Sequence, residues 1–293
     1  MTVFNPATRP GRLLRGLRRA LLVALIGYLA LLASLYVRQE SLLFHPEPLP
    51  ADFSFAGRYA PDQEVEEIRI PVDGAVLDAL LFRQPASRGL VFYLHGNTGN
   101  LTSWTSRVDF YRRLGFDLFM LDYRGFGKSS GHIDGEAQLH ADVRAAWNRI
   151  APAYAGKPVA ILGRSLGTGL ATRLARDVKP DLLVLVSPYA SLLRLAREHY
   201  PSMPRALFKY PLESDRLIAA VTSPVLILHG RNDALIPVAH AQALVAASGG
   251  RAALLPVDGA GHDDIQDFAA YRDALARSLA DLGGLPLKAD RRY

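Results

Sequence analysis

The 293-residue sequence contains no cysteine. That excludes disulfides, a thiolate nucleophile and any cysteine-ligated metal, and is neutral on compartment. Acidic residues are missing from the start of the chain, and none precedes Glu40. Internal repeats and low-complexity tracts are lacking too, which sets aside solenoids and disordered arrays. A nucleic-acid footprint is also missing. Of the net charge of +6, Arg9, Arg12, Arg15, Arg18 and Arg19 supply five and leave +1 for the rest of the chain.

What is present first is a charge-free run, Ala20 to Val37. At 1.5 Å per residue it makes a helix of about 27 Å, just long enough to span a bilayer. A cleaved signal peptide needs small residues at −3 and −1, and Ala30-Leu31-Leu32-Ala33 misses that spacing. Arginines on the near side predict a cytoplasmic N-terminus and an exported C-terminal domain. The domain would be periplasmic in a bacterium. The expected layout is a basic N-terminus (1–19), a membrane anchor (20–37), a linker or extended arm (38–63), a catalytic domain (64–283) and a loose tail (284–293).

From Glu64 onward, short apolar runs alternate with helical spacing. Strands are read at Glu64–Val72, Ala75–Phe82, Gly89–Leu94, Phe116–Tyr123, Val159–Leu162, Asp181–Val186, Pro224–Leu228 and Ala252–Val257. Helices are read at Leu101–Leu114, Glu136–Ile150, Leu166 to about Val178, Val238–Ala247 and Asp267–Leu282. Asp73-Gly74 signals a hairpin between the first two strands. Such alternation predicts an α/β fold with a mostly parallel sheet flanked by helices, antiparallel only at its start. Sites in such sheets collect at the carboxyl ends of strands.

Ser165 occupies one such end, within Gly163-Arg-Ser-Leu-Gly167. A serine on a tight strand-to-helix turn holds its hydroxyl clear of the backbone, and the flanking glycines allow close packing. Gly127-Lys-Ser-Ser-Gly131 fits the same spacing, but loop residues follow it, so it reads as a surface loop. A serine hydroxyl needs a base, and His262 is the best placed, after the last strand in a Gly-rich loop. Asp233, after the preceding strand, would orient that histidine, with Asp215 as rival acid. The Leu166 N–H follows the nucleophile and would hold an oxyanion, with Asn97 N–H or a neighbour in 95–98 as second donor. His95 and His229 read as structural and His240 as a solvated helix residue. Asp122 and Arg124 read as loop supports.

The segment 189–220 breaks the rhythm with several prolines. It reads either as a crossover with buried helical turns or as a small lid. In the second reading Leu192, Leu195, Tyr200, Met203 and Phe208 line an acyl pocket.

With these motifs together, the chain resembles the α/β-hydrolases over about Glu64 to Leu282. It is most similar to a single-anchor branch with His-Gly-Asn-x-Gly-Asn (95–100), Asp-Tyr-Arg-Gly-Phe-Gly-Lys-Ser (122–129), Gly-Arg-Ser-Leu-Gly (163–167) and Gly-His (261–262). The resemblance implies the fold and the Ser-Asp-His order. The branch is similar to esterases, thioesterases, acylglycerol lipases and serine aminopeptidases alike. His140 departs from it, standing where an aromatic residue is common. The expectation is a membrane-anchored serine hydrolase of acyl esters or thioesters, using no cofactor and no metal. A peptidase or amidase is the alternative, and a non-catalytic scaffold stands third. The expected partners are an acyl substrate and the membrane, without nucleic acid, and the oligomeric state is left open.

Overall fold

The computed structural model describes residues 10–60, 62–200 and 204–282. The start of the basic segment, Met203 and the tail from 284 lie outside the described residues.

Helix α1 (Pro10–Val37) starts ten residues before the expected span. Its arginines are good helix formers, and proline suits a first helical position. Within it, Leu14–Val37 contains an 18-residue window with a mean hydropathy of 2.4, none of whose residues is buried in the rest of the chain. It is long and apolar enough to cross a membrane. A short α2 (Gln39–Leu43) follows almost directly.

The domain is built on eight strands. They are β1 (Glu64–Val72), β2 (Ala75–Arg83), β3 (Leu90–Leu94), β4 (Asp117–Leu121), β5 (Val159–Arg164), β6 (Leu182–Val186), β7 (Val225–Gly230) and β8 (Ala252–Val257). Their order across the sheet is β8-β7-β6-β5-β3-β4-β2-β1. β1 and β2 form the antiparallel hairpin, β2 meets β4 antiparallel, and all other pairs are parallel. Gly74 turns the hairpin at φ +70°, a backbone region that glycine enters without a Cβ penalty.

The helices are α3 (Leu101–Trp104), α4 (Val108–Arg113), α5 (Glu136–Ile150), α6 (Gly167–Val178), α7 (Leu192–His199), α8 (Ser214–Leu217), α9 (Ala239–Ala247) and α10 (Ala269–Ala280). Alternate residues of β5 serve opposite layers. Ile161 joins a core with Leu139 and Val143 of α5, Leu170 of α6 and Leu244 of α9. Ala160 and Leu162 join a second core with Val108 and Tyr111 of α4 and Leu275 of α10. Strands buried on both faces read as unbroken apolar runs, which is why β3 to β7 were visible in the sequence. Each such leucine or phenylalanine contributes about 1.5–3 kcal/mol by leaving water.

The single helix expected over 101–114 is instead two, separated by a 3₁₀ turn at Thr105–Arg107. Thr105 Oγ1 donates back to Leu101 O at 2.7 Å, and Tyr59 Oη lies 3.0 Å from the same hydroxyl. Back-bonding of this kind bends a helix.

Candidate active site

β5 delivers the elbow. Ser165 sits at φ +50°, a left-handed conformation unusual outside glycine, and is buried to 8% exposure. The turn is locked on several sides. Ser165 N donates to Val186 O at 2.9 Å. Thr168 donates to Ser165 O from both its N–H and its hydroxyl, at 3.0 and 2.6 Å. A Cβ at Gly163 would lie 2.5 Å from Gly167 O, and one at Gly167 would lie 2.1 Å from Leu94 O. Both glycines are therefore demanded by the packing of helix against strand.

The loop after β8 carries His262 and the loop after β7 carries Asp233. A Cβ at Gly230 would lie 2.4 Å from Ala260 O, so these two loops touch backbone to backbone. His262 Nδ1 donates to Asp233 Oδ2 at 2.8 Å, and His262 Nε2 lies 3.0 Å from Ser165 Oγ. With the proton on Nδ1, Nε2 is free to accept from the serine hydroxyl. Asp233 Oδ1 accepts from Leu235 N at 3.0 Å and Ile236 N at 2.8 Å. Burial, the largest single influence, pushes the Asp233 pKa up. The bonds from His262 and Ile236 N–H outweigh it and hold the carboxyl below its ordinary value.

Asp215, the rival acid, lies on α8, where its own N–H donates to Ala190 O at 2.9 Å. His229 is fully buried with Nε2 bonded to Ile236 O at 2.7 Å, a structural role as expected. His95 is also fully buried, with Nδ1 bonded to Gly96 O at 2.7 Å and Nε2 3.3 Å from Asp122 Oδ1.

The turn holding Asn97 abuts the elbow, since a Cβ at Gly96 would stand 3.6 Å from Ser165 Cβ. Among the described residues, neither Asn97 N–H nor Leu166 N–H donates a hydrogen bond. Leu166 stands at the start of α6, where the helix dipole favours negative charge.

Four residues expected in an acyl pocket meet different surroundings, and Met203 lies outside the described residues. Leu192 and Leu195 pack against the core from α7. Tyr200 is 57% exposed. Phe208 lines a cavity of about 620 Å³ with Glu136, His140, Leu170 and Arg173.

Two expectations are corrected. His240 is fully buried, with Ala190 N donating to its Nδ1 at 3.1 Å and Glu198 3.1 Å from its Nε2. It stands four residues before Leu244 on the inner face of α9, a spacing that carried the signal. Ser129, read as surface loop, is buried. It accepts from Asp78 N and donates to Asp122 O, at 2.8 and 2.7 Å, bracing the loop. Asp122 and Arg124 are loop supports as read: Arg124 bonds Asp142 through two nitrogens at 2.6 and 2.9 Å.

Arg164, one residue before Ser165, was not singled out in the sequence. It is 7% exposed and lies 5.3 Å from the Trp104 ring centroid. Its Nη2 donates to the carbonyls of His262 and Asp263, both at 3.2 Å. It thereby ties the elbow to the histidine loop.

Known proteins resemble the chain along most of its length. Residues 85–209 match a family model described as "Serine aminopeptidase, S33", and residues 208–284 match one described as "TAP-like protein". Alpha/beta hydrolase domain-containing protein 17C of Xenopus tropicalis is 32% identical over 234 residues, which is 78% of this chain and 74% of that one. An uncharacterised protein of Mycobacterium tuberculosis is 32% identical over 281 residues, covering 90% and 97% of the two chains. Among solved structures, the Pyrococcus furiosus esterase Pf2001 superposes with a TM-score of 0.66 at 20% identity, over 83% of this chain and 98% of that one.

Proposed function

The chain belongs to the α/β-hydrolase superfamily, and from that premise we propose that it is a membrane-anchored serine hydrolase cleaving acyl esters or thioesters. One observation carries the reading: Asp233, His262 and Ser165 form a hydrogen-bonded chain at 2.8 and 3.0 Å, ending on a serine held at the strained elbow.

In this reading Ser165 Oγ attacks the acyl carbon while His262 Nε2 takes its proton. The carbonyl oxygen becomes an oxyanion held by the Leu166 and Asn97 N–H groups. The intermediate collapses, and His262 returns the proton to the departing alcohol or thiol. Water, deprotonated by the same nitrogen, then attacks the acyl-enzyme and releases the acid and Ser165. Asp233 holds the imidazole in the tautomer that accepts. The fold is shared with an esterase and with a thioesterase domain, which is compatible with this chemistry.

A peptidase or amidase is the second reading, favoured by the description of the family model over 85–209. It uses the same acyl-enzyme and differs in needing His262 to protonate an amine. Comparison of p-nitrophenyl butyrate with aminoacyl p-nitroanilides separates the two.

The deciding experiment replaces Ser165 by Ala. Turnover of p-nitrophenyl butyrate is expected to fall by about 10⁴-fold or more, with loss of fluorophosphonate labelling. A Ser165→Ala protein that turns over at the wild-type rate would overturn the proposal. Well-folded wild-type protein that takes no fluorophosphonate would favour a scaffold without activity.

A further inference from the structure

The segment after the apolar helix is bonded to the loop that carries Asn97. Asn97 Nδ2 donates to Leu43 O at 2.8 Å, and His45 N donates to Asn97 O at 2.8 Å. His45–Pro46 pairs in parallel with Thr98–Gly99 as a short ladder. Glu47 N donates to Gly99 O at 3.1 Å, and Asn100 Nδ2 returns a bond to Glu47 O at 2.8 Å. Beyond the ladder, Leu49 N donates to Gly127 O at 2.8 Å.

The opposite side of the same segment grips the insert. Lys209 N donates to Gln39 Oε1 at 2.9 Å, and Gln39 Nε2 donates to Leu207 O. Glu40 accepts from Lys209 Nζ at 3.0 Å and from Tyr210 Oη at 2.9 Å. Phe44 is buried edge-on against Tyr210, with ring centroids 5.1 Å apart. All of this begins within two residues of Val37, the end of α1.

Resting on the function proposed above, we propose that Leu43–Glu47 is a positioning element for the oxyanion site. The loop 95–100 has a glycine on either side of Asn97-Thr98, and Gly99 adopts φ +76°. Its glycines allow backbone freedom that bonds must take up, and within the domain His95 Nδ1 on Gly96 O and Trp104 Nε1 on Thr98 O supply part of that restraint. A transition state is served only by donors fixed before it forms. The bond to its carbonyl orients the Asn97–Thr98 peptide and the bond to its side chain restrains Asn97 itself, while His95 Nδ1 on Gly96 O holds the peptide that carries the Asn97 N–H. The juxtamembrane arm therefore completes, from the side chain and the carbonyl of Asn97, the hold on the residue whose N–H would meet the oxyanion. The membrane anchor and the catalytic loop are one mechanical unit rather than a domain on a slack tether.

The test uses the full-length protein in detergent and two variants. Asn97→Ala removes the donor to Leu43 O and leaves the Asn97 N–H. His45→Pro removes the donor to Asn97 O, and Phe44 before it already has φ −117° and ψ 127°, which proline tolerates in its predecessor. Active sites are titrated to completion with a fluorophosphonate, so that all rates refer to folded, reactive enzyme. On p-nitrophenyl butyrate, kcat per titrated site is expected to fall about 10- to 100-fold with KM within about twofold, less than the loss of a whole oxyanion donor. The Ki of a trifluoromethyl ketone, whose adduct with Ser165 carries an oxyanion, should rise by the same factor. Partial unfolding would lower the number of titrated sites and leave kcat per site and Ki unchanged. Unchanged kcat per site and Ki in both variants would overturn the inference while the serine hydrolase reading stands. Full activity in Ser165→Ala would remove both together.

Discussion

His262 Nε2 stands 3.0 Å from Ser165 Oγ across a sequence separation of 97 residues. Two glycine contacts and one arginine make that approach. Gly167 lets α6 meet Leu94, Gly230 lets the loops after β7 and β8 touch, and Arg164 draws the His262 carbonyl toward β5. The imidazole is then held from behind by Asp233.

Replacing Asp233 by Asn tests that hold. Asn keeps the shape but offers an amide where a carboxylate accepts, so the imidazole loses its preference for a proton on Nδ1. In other Ser-His-Asp enzymes this change costs about 10⁴-fold in kcat. A similar loss, with KM within a few-fold, is expected for p-nitrophenyl butyrate. Loss below about tenfold would mean that Asp233 is not the orienting acid.

Acid sensitivity has a separate source in His240. Its burial, the largest influence, lowers the pKa below the ordinary 6.5 despite Glu198 nearby. The folded state therefore keeps His240 neutral at pH values where the unfolded chain binds the proton. Stability is then present above pH 6.5 and lost as pH falls from 6.5 toward the folded pKa, by up to about 1.4 kcal/mol per pH unit. His229, also lowered by burial, acts with the same sign. Denaturant unfolding of His240→Asn from pH 7.5 to 5.5 should give a shallower decline than wild type. Equal slopes would rule out His240 as a contributor.

The elements legible in the sequence were those set by local pattern. β3 to β7 are apolar runs bounded by turn residues, and Gly163-x-Ser165-x-Gly167 states its own steric requirement. The order Ser165, Asp233, His262 followed from their places after successive strands. What escaped depends on distant partners. Arg164 looks like any charged residue until Trp104 and the His262 carbonyl are brought beside it. The arm 38–63 reads as a Pro-containing linker, because backbone bonds from Leu43, His45 and Glu47 to the 97–100 turn leave no side-chain pattern. Among the described residues expected in the pocket, α7 turns Leu192 and Leu195 inward while Tyr200, just past its end, is exposed, an arrangement set by packing that the spacing does not carry.

Anchoring by apolar burial predicts behaviour that charge cannot mimic. If the Leu14–Val37 helix is the anchor, high-salt washing should leave the protein in the membrane fraction and detergent should release it. With Arg15, Arg18 and Arg19 at its start and no acid before Glu40, the N-terminus is expected inside. Alkaline phosphatase fused after Ala60 should then be active. A dead fusion there, together with a bright cytoplasmic reporter at the same point, would reverse the orientation.

If α1 anchors the protein in a membrane, a substrate preference is expected from where it holds the domain. Gln39 and Glu40, two and three residues beyond α1, bond Leu207, Lys209 and Tyr210, so the insert sits beside the end of the apolar helix. Lys209 Nζ lies 4.7 Å from the ring centroid of Tyr36, inside the last turn of α1, so an α1 that spans a membrane would set that level at its boundary. An active site carried next to a bilayer meets acylated molecules at high effective concentration. If an acyl chain is buried beside Ser165, each methylene contributes about 0.8 kcal/mol, or up to about fourfold in kcat/KM, until the space is filled. A series of p-nitrophenyl esters and acyl thioesters from acetyl to octanoyl should therefore rise before it levels. A steady fall from acetyl to octanoyl would refute acyl recognition and move the substrate to small polar esters or peptides.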